Sequence, residues 1–111
     1  MNKYRMFYMD YITEQESPTD KPIEATLDVI IRKMEAILRH PENFIGIIDK
    51  DENTLQFMVE SNGKICIDLP IEKLKGSYSK YDGLEACLAM VEKLDGIINI
   101  DDISDLEFNY W

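Results

Sequence analysis

Basic residues are scarce in this chain. Twelve Lys and Arg face twenty-two Asp and Glu, so the 111 residues carry a formal charge of −10. A field of that sign repels phosphate backbones and anionic lipid and steers cationic proteins inward, which argues against nucleic acid and membrane surfaces as partners and points to a basic protein. The deficit is uneven: after Lys93 the last eighteen residues hold Asp95, Asp101, Asp102, Asp105 and Glu107 with no base, and Asp10 to Asp20 adds four acids, also unopposed.

Other shortages exclude other chemistries. The one histidine, His40, leaves no basis for a His-based metal site or a histidine-driven triad. The two cysteines, Cys66 and Cys87, sit inside apolar patterns and not in a Cys-rich framework, so they read as small buried hydrophobes in a reducing compartment. Five scattered glycines make no phosphate cradle. No apolar run approaches the ~18 residues of a membrane span, and Asp10 interrupts the start before a signal-length run forms, so the expected location is the cytoplasm. Four Pro and 45% hydrophobic residues favour one folded domain over residues 1–111. The six methionines, Met1 among them, read as core filler.

What is present is patterned. Residues 5–12 are aromatic-rich and strand-like, with Phe7, Met9 and Tyr11 on one face, and a breaker-rich loop follows to Lys21. Pro22 opens a helix whose stripe runs Ile23, Leu27, Ile30, Ile31, Met34, Ile37 and Leu38, with Arg39 and His40 in its last turn. Residues 44–48 and 54–60 form a hairpin. After Ser61-Asn62-Gly63 a three-residue loop pairs Val59 with Ile65, Phe57 with Ile67 and Leu55 with Leu69, because a two-residue turn would bury Asp68. Pro70 closes that strand, and Glu72–Lys80 reads as a basic loop. Asp82 caps a second helix with Leu84, Cys87, Leu88, Val91 and Leu94 buried and Gly96 as its stop; Leu106 to Trp111 forms a last strand. The expected fold is α+β, about five mainly antiparallel strands with two amphipathic helices on one face, in the order βαβββαβ.

The candidate partner-binding residues are acids and exposed aromatics. Asp101, Asp102, Asp105 and Glu107 border Phe108, Tyr110 and Trp111, a mixture suited to an interface in which rings bury and carboxylates pair with Arg or Lys. Trp111 alternates with Tyr110, which leaves two readings: it faces outward, or it packs over the sheet edge. Tyr78 and Tyr81 lie in the loop before the second helix, where amphipathic rings bind at small entropic cost. Asp49 and Asp51 join this acidic set; with Asn53 they alternate like the opening of a calcium loop, but Thr54 stands where that template needs Gly. No catalytic constellation and no cofactor motif is visible, so no enzyme is expected.

Three features resemble the small bacterial immunity proteins that neutralise polymorphic toxins of contact-dependent or type VI systems. They are the early amphipathic helix Ile23 to Leu38, the meander ending in Asp68-Leu69-Pro70 with Gly76-Ser77-Tyr78 after it, and the late helix leading to a strand that stops at Trp111. The resemblance implies a cytosolic, non-enzymatic protein that blocks a toxin's active site or substrate groove. Many such toxins are nucleases, whose grooves are basic. Two other readings stand beside this one: an acidic adaptor module, homodimeric through a sheet edge, and a nucleic-acid mimic acting on a nuclease.

Overall fold

A computed structural model describes residues 3–111; Met1 lies outside them. The chain runs β1 (Tyr4–Asp10), β2 (Gln15–Ser17), β3 (Ile23–Ala25), α1 (Leu27–Ile37), β4 (Phe44–Ile48), β5 (Thr54–Val59), β6 (Ile65–Ile71), β7 (Gly76–Asp82), α2 (Leu84–Glu92) and β8 (Glu107–Tyr110), with single 3-10 turns at Glu72–Leu74 and Ile100–Asp102. The class is α+β as expected, but eight strands replace the expected five. They form one antiparallel sheet in the order β2-β1-β4-β5-β6-β7-β8, and β3 continues the β2 lane along the edge of β1.

Strand pairing explains each departure. Ile23–Ala25, read as the start of the first helix, pairs with Tyr4–Met6 instead, so α1 begins at Leu27. Arg39 and His40 lie beyond its end at Ile37. There the buried Asn43 acts as a bracket, donating to the Ile37 carbonyl at 2.9 Å and to Asp10 Oδ1 at 3.0 Å while accepting from the Tyr11 N–H. The supposed basic loop is mostly β7, paired along its whole length with β6. Pro70 does not close β6, which reaches Ile71; its partner is Ser77 of β7. At α2 the N-cap is Gly83, not Asp82, and the helix stops at Glu92, ahead of Gly96.

The register around Gly63 is as expected: Val59 pairs with Ile65 and Phe57 with Ile67. Gly63 holds φ +87°, the left-handed geometry that closes this loop.

Both helices cover one face of the sheet. Ile30, Met34 and Ile37 of α1 and Cys87 and Val91 of α2 bury against Tyr4, Met6, Ile45, Ile47, Leu55, Phe57, Val59, Ile65, Ile67 and Leu69. Period-two alternation sends the neighbours of these strand residues to the opposite face, which carries no helix. Phe7 and Ile48 are buried there, outside the main core.

Candidate interaction surface

The register lays out the uncovered face in rows. One row crosses Glu16, Met9, Phe44, Met58, Cys66 and Tyr81. The next crosses Phe7, Gly46, Gln56, Asp68, Ser79 and Glu107. Gly46 is required in this second row, because a Cβ there would collide with the Phe7 ring that lies across it. The Phe7 and Phe44 centroids are 6.4 Å apart, forming a small aromatic floor at one end. Met58 is 41% and Tyr81 59% exposed, so the first row presents apolar surface to solvent.

Charge on this face is one-sided. Its carboxylates are Glu16, Glu24, Asp68 and Glu107, with Glu60 at the end of β5 close enough to act on Cys66 and Tyr81. Its strand-borne cation, Arg5, pairs with Glu52 at 2.6 Å. Burial pushes the Asp68 carboxyl above the ordinary aspartate range, and a hydrogen bond from Ser77 only partly opposes this. Burial likewise raises the Cys66 thiol, helped by Asp68 and Glu60 and opposed by its hydrogen bond with Tyr81. Cys66, Glu60 and burial in turn raise the Tyr81 phenol. A thiol held neutral is a weaker nucleophile than its thiolate.

The expected partner-binding residues divide among several places. Tyr81, Glu107 and Trp111 share the uncovered face, with Tyr81 at one end of β7 and Trp111 at the other. Trp111 is 64% exposed; its Nε1 donates to Ser77 Oγ at 2.9 Å and its N–H to the Lys75 carbonyl at 2.9 Å. Asp101, Asp102 and Asp105 lie exposed on the segment leading into β8; the Asn99 side chain accepts from the Asp101 N–H, and Asp105 adopts φ 63°. Tyr78 belongs to the helix-covered side, half-buried with its ring 5.0 Å from that of Phe108. Neither Tyr78 nor Tyr81 is in a loop. Both are in β7.

Asp49 is corrected outright as a contact residue. It is 1% exposed: Oδ1 accepts from the N–H groups of Asp51 and Asn53, and Oδ2 from Asn53 Nδ2 and the Ile98 N–H. The alternating Asp49-Asp51-Asn53 pattern is thus a carboxylate organising its own turn. Asp51 stays exposed at the tip. Among the described residues no group of three or more His, Cys, Asp or Glu could hold a metal ion, and no helix is long and apolar enough to cross a membrane.

A concavity of about 740 Å³ lies on the helix side between α2 and the segment after it, where Lys80, Asp82, Lys93, Asp95, Asp102 and Ser104 line it beside the apolar Met90 and Leu94. Sequence reasoning missed Asp68, Cys66 and Met58 as surface candidates. Their alternation with Leu69, Ile67 and Phe57 was the available signal, since those partners fill the core.

No protein-family model, curated protein or solved structure matches this chain.

Proposed function

We propose that this protein is an immunity-type inhibitor: a non-enzymatic acidic protein that binds a cognate basic toxin domain in the bacterial cytoplasm and occludes its active site. The observation that supports this reading is the uncovered sheet face. It joins an exposed apolar row to five carboxylates, with its strand-borne arginine already neutralised by Glu52. Apolar contacts at the centre and charges around them are what a protein interface needs. Six lane spacings of about 4.8 Å make the face about 29 Å wide, a scale suited to the ~800 Å² that one side of a standard interface covers.

A nuclease is a fitting target, because its phosphate track is basic and an acidic plate can lie over it. Electrostatic steering then speeds capture toward ~10⁸ M⁻¹s⁻¹ at low salt. The test is co-expression with the toxin domain encoded beside this protein. A stable complex and protected cells are expected; no complex and no protection would overturn the proposal.

A further inference from the structure

Resting on that reading, we infer that the partner's anchor is an arginine, received on the uncovered face between the Asp68 carboxylate and the Tyr81 ring. Asp68 stands opposite Gln56 on β5 and Ser79 on β7, in the middle of the sheet. Tyr81 stands opposite Cys66, two residues along, so it is the diagonal neighbour of Asp68 at about 7–8 Å. That spacing suits a guanidinium, which can pair with the carboxylate through parallel N–H bonds while its plane rests on the phenol ring.

Among the described residues no cation forms an ion pair with Asp68. Arg5 lies three lanes away, about 14 Å, beyond the ~8 Å screening length at physiological ionic strength, and is paired with Glu52. Lys80 alternates with Ser79 and Tyr81 and so belongs to the other face. Lys64, exposed in the β5–β6 turn, makes no ion pair with a described residue. Glu60 and Glu107 flank the position, so an arriving cation meets three carboxylates around Met58, Cys66 and Tyr81. An arginine is preferred over a lysine because its planar guanidinium can lie flat on the ring while bonding the carboxylate in a fork, whereas an ammonium is a point charge that lacks the fork.

The experiment is an amide-resolved NMR titration of the full chain with a short Arg-Gly repeat peptide and its Lys-Gly counterpart at low salt. The arginine peptide is expected to shift residues 56, 58, 66, 68, 79 and 81 and to bind about ten-fold more tightly than the lysine peptide. Asp68→Asn, which keeps the shape of the side chain, should weaken it about ten-fold, and Tyr81→Leu about three-fold, with unchanged circular dichroism. Shifts confined to 101–105, shifts spread over the whole surface, absence of binding, or an Asp68→Asn chain that binds as well as the parent would overturn the inference. The toxin reading fails separately. Peptide shifts centred on Asp68 with no toxin complex would remove the toxin and keep the site; a toxin complex with peptide shifts at 101–105 would do the reverse.

Discussion

The Asp49 carboxylate accepts a hydrogen bond from the Ile98 N–H at 2.8 Å, tying the β4–β5 turn to the segment that follows α2. The same group holds the N–H of Asp51, the N–H of Asn53 and the Asn53 amide, so one buried side chain orders two loops distant in sequence. Asp49→Ala would leave these donors facing a buried gap. The expected cost is about 2–4 kcal/mol by urea unfolding. A loss below about 0.5 kcal/mol would show that the bonds are dispensable.

Phe7 and Gly46 should behave as a coupled pair. Gly46→Ala displaces the ring that lies over it and should cost about 1–3 kcal/mol; Phe7→Ala removes the ring and should cost about 3 kcal/mol. Once the ring is gone the added methyl has room, so the double variant should be more stable than the sum of the single costs by at least about 1 kcal/mol. Strict additivity in denaturant titrations would contradict the packing described.

The two thiols should differ in reactivity without either being activated. Burial, with Asp82 adding and Lys80 opposing, pushes the Cys87 thiol up to about 12. At pH 8 its thiolate fraction is then about 10⁻⁴. In the native protein a disulfide reagent should modify Cys66 slowly and leave Cys87 untouched, while both react promptly in urea. Fast labelling of Cys87 under native conditions would refute its placement in the core.

Asp68 and Asp10 should give opposite pH signatures. The Asp68 carboxyl is raised above 3.8 by burial, so the folded state holds its proton more tightly than the unfolded chain. Its contribution to stability is complete below 3.8 and is lost as pH rises through the raised folded value. Asp68→Asn should therefore stabilise the protein slightly at neutral pH, an effect reduced by solvent screening at this half-exposed position, and the gain should vanish as pH falls below 3.8. For Asp10, burial pushes the carboxyl up, but hydrogen bonds from Ile12, Thr13 and Asn43 outweigh it and hold the group below 3.8. That stability is present above 3.8 and fades as pH falls through the lower folded value. Thermal melts of Asp10→Asn should show a deficit at neutral pH that shrinks in acid. A gain for Asp68→Asn combined with weaker arginine binding would mark a residue kept for contact at the expense of stability.

Much of the architecture is legible where burial imposes a period. The α1 stripe through Ile30, Met34 and Ile37 and the Val59–Ile65 register follow from the need to keep apolar side chains on one face. β7 was not legible, because Ser77, Ser79 and Lys80 give no apolar alternation; it forms to complete the hydrogen bonding of β6. Ile23–Ala25 fits both a helical stripe and a strand, and the open edge of β1 decides. Glu107, Tyr81 and Trp111 were legible as surface, but their sharing a face with Asp68 depends on the pairing of β6, β7 and β8. Asp49 misled, because a carboxylate that serves a turn and one that serves a partner look alike in sequence. The sheet edges also bear on self-association: Glu16, Glu24 and Glu107 lie on the outermost strands, where like charges oppose edge-to-edge pairing.

The central claim is that the unbalanced carboxylates are a docking surface for a cationic protein, and stopped-flow association with the co-expressed toxin domain tests it most directly. Raising salt from about 50 to 500 mM should slow association at least about ten-fold while changing dissociation little. An association rate unaffected by salt would contradict the account.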